Sequence, residues 1–242
     1  MTFYRSFTSK RVLPGFGISL GSSLFFISLV ILLPITGLIV QTAELSWVQY
    51  WAIISDPRVV ATYKVTLSAA LVASVFNLFF GLLMAWILTR YRFPGRILLD
   101  GLMDLPFALP TAVAGLTLAA VFSTQGWFGQ YLALWDIKVS YTWLGIVLAM
   151  IFTSVPFVVR SVQPVLEEFG PEYEEASATL GASPWQTFFR IILPEIKPAL
   201  LTGTALSFTR SLGEFGAVIF IAGNLPWHTE VTSLMIFVRL QE

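Results

Sequence analysis

The 242-residue chain is 56% hydrophobic and carries 12% charged residues, about half the share usual in soluble domains. Its 14 basic and 14 acidic residues cancel, which argues against a nucleic-acid-binding protein, and the absence of cysteine with a single histidine excludes disulfides, thiolate metal sites and multi-histidine metal centres. The composition predicts an integral membrane protein with the lipid bilayer as a partner and without nucleic acid.

Five long apolar windows follow one another along the chain. Each is long enough to cross a bilayer as a helix, which takes about 20 apolar residues, and none shows the strict alternation of a barrel strand. We therefore predict an all-α integral membrane protein, a polytopic helix bundle. The predicted spans are residues 16–40, 59–88, 97–122, 141–159 and 199–222. Pro106 and Pro110 each remove a backbone donor and predict a kink in the third.

Basic residues cluster on one side of these spans, which the positive-inside rule assigns to the cytoplasm. They are Arg5, Lys10 and Arg11 before the first span, Arg90, Arg92 and Arg96 after the second, and Arg160, Arg190 and Lys197 after the fourth. We predict a cytoplasmic N-terminal tail over 1–15, a cytoplasmic loop over 160–198 and an outer-side segment over 223–242. The alternative for the first window is a cleaved signal peptide, whose apolar stretch is usually shorter.

The loop after the fourth span has the signals of a first short helix. Gly170-Pro171 opens it, because proline suits the first helical position. Its first turns carry Glu172, Glu174 and Glu175, where the helix dipole favours negative charge. Gly181 is typical of the left-handed residue that ends a helix.

A second helix is predicted directly after this corner. Ser183 and Gln186 form a capping-box pattern, and Pro194 is expected to stop the helix. One apolar face is predicted from residues that recur at three-to-four spacing: Trp185, Phe188, Phe189 and Ile192. An aromatic face bordered by carboxylates outside the bilayer favours docking to another protein, and the alternative is a packed loop without a partner.

Charged residues inside the predicted spans are candidates for a translocation path, because a charge in the bilayer needs a partner or a wet cavity. Arg210 and Glu214 lie one turn apart in the fifth span, so they either pair with each other or leave Arg210 facing a passing anion. Asp104 in the third span is a possible cross-helix partner of Arg210, and the alternative places it near the cytoplasmic interface at the start of a helix. Asn77 in the second span is expected to form an interhelical hydrogen bond.

The sequence contains no phosphate-binding loop of the G-x-x-x-x-G-K-[ST] type, nucleophile elbow or zinc-binding histidine pair. No catalytic residue, metal site or cofactor is therefore predicted on this chain. Any energy for work across the membrane is expected from a partner.

The cytoplasmic loop also resembles a known motif. Glu175-Ala176-Ser177, then three residues, Gly181, nine residues and Ile191-Ile192-Leu193-Pro194 is similar to the EAA loop of binding-protein-dependent ABC importer permeases. Only Ser177 departs, standing where the motif usually has alanine. The resemblance implies that this loop docks into a cytoplasmic ATPase subunit. The docking residues assigned in this way are Glu172, Glu174, Glu175, Ala176, Ser177, Gly181, Ile191, Leu193 and Pro194.

Further stretches resemble the oxyanion branch of these permeases. The segments 104–115 and 211–217 are similar to sulfate and molybdate permeases, and 91–96 and 229–237 are most similar to sulfate/thiosulfate permeases of the T type. Members of this type continue into a sixth span, so six spans are expected in the parent protein and this chain is expected to be truncated.

The resemblance implies a permease subunit that moves sulfate or thiosulfate by alternating access in a bacterial inner membrane. The implied partners are a second homologous permease, two ATPase subunits that hold ATP and magnesium, and a periplasmic sulfate/thiosulfate-binding protein. The alternatives are a molybdate or tungstate permease, a membrane scaffold without transport, and an intramembrane enzyme using Arg210, Glu214 and Asp104.

Overall fold

A computed structural model describes residues 15–241. Of the predicted cytoplasmic tail 1–15, all but the last residue lies outside the described residues, together with its basic residues Arg5, Lys10 and Arg11. Every regular element within 15–241 is a helix, in agreement with the all-α prediction.

The helices are numbered here in chain order. They are α1 (Phe16–Ala43), α2 (Trp47–Ile54), α3 (Pro57–Arg90), α4 (Arg96–Ala108), α5 (Thr111–Val121), α6 (Gly129–Ala133), α7 (Trp143–Glu168), α8 (Glu172–Thr179), α9 (Pro184–Leu212), α10 (Gly216–Ile221) and α11 (Thr232–Gln241). Four of them, α1, α3, α7 and α9, are long and apolar enough to cross a membrane, and the bent pair α4 and α5 makes up to five.

The chain divides into two compact units after Ser55. In the first unit, α1 is a 28-residue apolar helix with no buried residue in its most apolar window, and it extends the predicted span 16–40 by one turn. α2 begins at a capping box between Ser46 and Gln49. An apolar surface exposed along the whole of α1 suits lipid or another membrane helix.

The second unit is built on α3, α7 and α9, which cross one another closely. Small residues make this approach possible: a Cβ on Gly81 of α3 would lie 2.7 Å from Val158 Cβ in α7, and one on Gly203 of α9 would lie 2.9 Å from Val158 Cα. Without a hydrophobic driving force between helices in lipid, such close packing supplies much of the association energy. The core consists of two apolar clusters, one of which contains Val158.

The predicted span 97–122 is divided into two helices, α4 and α5, bent by 114°. The break falls at Leu109-Pro110. Leu109 is extended, with ψ 137°, because the ring of a following proline disfavours the helical conformation. Pro106 lies inside α4 without ending it, so only one of the two prolines expected to kink this span breaks the helix.

The predicted span 199–222 also differs from the structure. α9 starts fifteen residues earlier, at Pro184, and ends at Leu212, and α10 follows separately. The expectation that Pro194 stops the second loop helix is wrong. A π-helical turn at Phe188–Ile192 precedes this proline, and its wider ring leaves room for the proline ring, so the helix continues into the membrane.

α7 likewise runs past the predicted end of the fourth span, from Trp143 to Glu168. Arg160, assigned from sequence to the cytoplasmic loop, is therefore a residue of this helix. The loop itself shrinks to α8, the corner at Gly181 and the first turns of α9. We call this segment, residues 169–194, the docking hairpin.

Candidate functional site

The corner between the two helices of the docking hairpin has the glycine conformation and the capping box that its sequence predicts. Gly181 has φ +83°, a left-handed conformation that glycine adopts without cost. The backbone N–H of Ser183 donates to Gln186 Oε1 at 2.8 Å, and the N–H of Gln186 donates to Ser183 Oγ at 3.4 Å, which confirms the capping box. The corner is therefore fixed at both sides by local backbone chemistry.

Ser177 joins the two hairpin helices. Its buried hydroxyl lies 2.8 Å from Thr187 Oγ1 on α9 and donates to the carbonyl of Glu174. The one position that departs from the EAA pattern thus forms a hydrogen bond that alanine could not. This bond holds α8 against the first turn of α9.

The predicted docking residues fall on two sides of the hairpin. Exposed to solvent are Glu172, Glu175, Ala176, Gly181 and Pro194, while Ser177 is buried and Glu174, Ile191 and Leu193 are half-buried. At the tip, Leu180 is 88% exposed and Trp185 is 73% exposed. The exposed surface of the hairpin therefore has acidic residues on α8 and apolar residues at its corner.

The predicted single aromatic face of the second helix is split. Ile192 and Phe188 pack on the core formed with α3 and α7, whereas Trp185 stacks on Phe189 with both rings exposed. Phe188 and Phe189 are consecutive residues, which a helix places about 100° apart around its axis, so that one ring packs on the core and the other is exposed.

Glu174 is bound to the bundle by Arg90, the last residue of α3. The Nε of Arg90 lies 2.8 Å from Glu174 Oε1, and its Nη1 and Nη2 donate to the carbonyls of Leu166 and Phe169 at 3.1 and 2.8 Å. One guanidinium therefore joins α3, the end of α7 and the hairpin. Sequence analysis placed Arg90 only among the orienting charges, because its partners are far away in the chain.

The candidate path residues Arg210 and Glu214 form an ion pair, with 2.6 Å between Nη1 and Oε2. Glu214 lies beyond the end of α9, in the break before α10, and its Oε1 accepts the N–H of Ala217 at 2.9 Å. Its side chain is 1% exposed and that of Arg210 32%. The pairing alternative of the sequence analysis is the geometry observed.

Asp104 pairs with Arg160 of α7 and not with Arg210. The guanidinium binds both Asp104 oxygens, at 2.7 and 2.6 Å, and reaches Asp100 Oδ1 at 2.7 Å and Gln163 Oε1 at 2.6 Å. The prediction that Asp104 is a cross-helix partner of Arg210 is therefore wrong, and its actual partner is a residue that sequence analysis had assigned to the loop.

Asn77 forms the interhelical hydrogen bonds expected of it. Its Nδ2 donates to Ser154 Oγ of α7 at 2.8 Å and to Ser207 Oγ of α9 at 3.2 Å, and Ser211 also donates to Ser154. All four side chains are fully or almost fully buried. This polar cluster joins the three long helices, and its members Ser207 and Ser211 stand on either side of Arg210 in the sequence.

A second buried carboxylate was missed from sequence. Glu230, 1% exposed, accepts from Arg58 Nε and Nη2 at 2.9 and 2.8 Å. Arg58 lies in the first turn of α3, which begins where Asp56 accepts the N–H of Arg58 and Val59. Within the described residues, no three Asp, Glu or His side chains come together as a metal-binding group.

Proteins similar to this chain are components of transport systems. Residues 77–237, more than half of the chain, match the family described as binding-protein-dependent transport system inner membrane components. The chain is 72% identical to the sulfate transport system permease protein CysT of Escherichia coli K12, over 97% of this chain and 85% of that protein. CysT of Synechococcus elongatus is 48% identical, over 90% and 78% of the two chains, and the probable cysT of Nephroselmis olivacea is 48% identical, over 91% and 78%.

Proposed function

The chain belongs to the family of binding-protein-dependent transport system inner membrane components, and we propose that it is the sulfate-conducting permease subunit of an ATP-driven importer. The likeness to relatives named for sulfate transport, extending over nearly the whole chain, carries this proposal. It also disfavours the molybdate and tungstate alternative. Whether thiosulfate shares the path belongs to the same proposal.

The subunits of the proposed complex have separate roles. This chain and a second, similar permease form the path, two ATPase subunits bind ATP and magnesium on the cytoplasmic side, and a sulfate- or thiosulfate-binding protein delivers the anion from outside. This chain has no catalytic role of its own in the proposal. Its N-terminus and docking hairpin face the cytoplasm, which the clustering of basic residues supports.

The docking hairpin is proposed as the attachment site of the ATPase. Leu180 and Trp185 are exposed at its tip, and Glu172 and Glu175 are exposed on α8, which supports an interface with apolar and charged parts. Because Trp185 is part of α9, any displacement of the hairpin acts directly on a membrane-spanning helix. This continuity is absent from a loop that merely connects two spans.

Alternating access then requires a helix bundle that can adopt two arrangements, and an element whose movement favours one of them. α9 is continuous from Pro184 in the hairpin to Leu212, two residues beyond Arg210. A movement of the hairpin would therefore reach the cluster around Asn77 and the Arg210–Glu214 pair along one rigid element. In this proposal the paired Glu214 lowers the net charge at Arg210, so that sulfate is guided without being held tightly. Asp104 stays a candidate for the same path, within its pair with Arg160.

Reconstitution tests the substrate. The complete complex is assembled with its partner subunits and binding protein in proteoliposomes. It is expected to take up labelled sulfate only when ATP is present on the side of the membrane that carries the ATPase. Excess thiosulfate should compete, and excess molybdate should leave most of the uptake intact. A complex with a hydrolysis-deficient ATPase is the control. Molybdate uptake in place of sulfate uptake would contradict the proposal.

A further inference from the structure

The last turns of α3 contact both helices of the docking hairpin. Arg90 forms the ion pair with Glu174 of α8, and Trp86, four residues earlier on the same face, packs edge-on against Phe188 of α9 with 5.8 Å between ring centroids. The Arg90 guanidinium also lies 5.7 Å from the centre of the Trp86 ring. α3 therefore has separate contacts with the two arms of the hairpin.

Arg90 also closes the end of α7. The last carbonyls of a helix have no partner within the helix, and Arg90 donates to two from this region, those of Leu166 and Phe169. A cation at this end is favoured by the helix dipole, and hydrogen bonds from a charged donor are stronger than neutral ones. The Arg90 side chain is 15% exposed, so these contacts are formed largely away from water.

We propose that Arg90 is a positioning residue that couples the docking hairpin to α3 and α7, so that a movement imposed on the hairpin turns both spans. This inference rests on the proposed function, since it supplies the mechanical link that the function requires. The hairpin continues directly into α9 and is connected to α7 by the short non-helical segment 169–171, whereas α3 has no covalent connection to it. Arg90 links α3 and the carbonyls at the end of α7 to Glu174 of α8.

A lysine at position 90 would replace the contacts of Arg90 only in part. The fork of a guanidinium serves two carbonyls and a carboxylate at once, whereas an ammonium is a compact charge on a flexible stem. Removing Glu174 alone is the milder change, because the carbonyl contacts of Arg90 then remain. The neighbouring exposed residue Arg92 offers a matched control two positions along the chain.

The test compares Arg90→Gln, Arg90→Lys, Glu174→Gln and the double variant Arg90→Gln/Glu174→Gln, with Arg92→Gln as control, in the complete reconstituted complex. Sulfate uptake and ATP hydrolysis are measured on the same proteoliposomes, and copurification of the subunits measures assembly. A second readout needs no substrate. Because the chain has no cysteine, spin labels at Thr179→Cys on α8 and Leu83→Cys on α3 report the distance between hairpin and span.

We expect Arg90→Gln to assemble and hydrolyse ATP but to import about tenfold less sulfate per ATP, in the range typical of a coupling free energy. Glu174→Gln should lower the same ratio, the double variant should fall no further than Arg90→Gln, and Arg90→Lys should be intermediate. The spin-label distances should broaden in Arg90→Gln and stay narrow in Arg92→Gln.

The inference is overturned if Arg90→Gln keeps the wild-type ratio of sulfate to ATP, or if its effect and that of Glu174→Gln simply multiply in the double variant. Should Arg90→Gln fail to assemble, Glu174→Gln decides: a wild-type ratio together with a wild-type distance distribution overturns the inference. A wild-type complex that imports no sulfate would instead contradict the proposed function, and the spin-label distances would still test Arg90.

Discussion

Two buried carboxylates in this protein are each matched to an arginine that is only partly buried. Glu214 pairs with Arg210 and Glu230 with Arg58. An isolated charge in an apolar interior costs several kcal/mol, so the carboxylate tolerates burial only while its arginine and backbone donors are in place. Glu214 has both, because its Oε2 pairs with Arg210 and its Oε1 accepts the N–H of Ala217. In the Arg210–Glu214 pair, the buried carboxylate therefore depends more on its partner than the partly exposed arginine does.

This asymmetry gives a prediction for the path residues. Arg210→Gln leaves the fully buried Glu214 unpaired and should destabilise the protein by about 3–5 kcal/mol. Glu214→Gln leaves the more exposed Arg210 and should cost less, about 1–3 kcal/mol. The double variant should recover stability relative to Arg210→Gln. Thermal unfolding in detergent measures the order, with Thr209→Ala, an exposed neighbour on α9, as control.

A greater loss of stability in Glu214→Gln than in Arg210→Gln would contradict this assignment. Sulfate uptake by the stable double variant distinguishes a role of the Arg210–Glu214 pair in stability from a role in transport. Normal uptake would assign the pair to packing alone, and lost uptake with intact assembly would support a role for Arg210 in the path.

The sequence predicts contacts well when their partners are close in the chain. Arg210 and Glu214 are four residues apart, and the capping box at Ser183 is local, so both follow from spacing. The pairs Arg58–Glu230 and Asn77–Ser207 join residues 172 and 130 positions apart. These contacts depend on which helices pack together and on which of their turns meet. The spacing of residues within one helix does not give this information.

At the scale of the elements, α9 is the feature that sequence analysis divided wrongly. Pro194 indicated a stop, yet the π turn before it lets one helix run from the hairpin into the membrane. At Leu109-Pro110, in contrast, proline does break the helix, because the residue before it adopts an extended conformation. Proline therefore has opposite outcomes at these two positions.

The crossing of α9 with α7 leads to a second prediction. Gly203→Val would place a branched side chain against Val158 Cα and the carbonyl of Phe157, at contact distances of about 3 Å, which the backbones cannot relieve without separating. We expect a loss of about 1–3 kcal/mol and weaker complex assembly. Ala205→Val, on the exposed side of the same helix, should leave both unchanged. Equal stability of the two variants in thermal unfolding would contradict the close crossing.

At the scale of the whole second unit, α3 carries an arginine contact at each end. Arg58 holds Glu230 near its start, and Arg90 holds Glu174 at its last residue. Between them, Asn77 ties α3 to α7 and α9. A helix connected at both ends and in the middle is suited to move as one body with its neighbours. The proposed transport cycle requires such rigid elements, driven from the hairpin.

The central claim is that the docking hairpin faces the cytoplasm and binds the ATPase. Single cysteines at Leu180 in its tip and at Leu225 in the segment predicted to lie outside test it directly, since the chain has no cysteine and both side chains are exposed. Leu180→Cys should react with an impermeant thiol reagent only from the cytoplasmic side, and the bound ATPase should protect it. Leu225→Cys should react only from the outside. Labelling of Leu180→Cys from outside, or unchanged labelling when the ATPase is bound, would contradict the account.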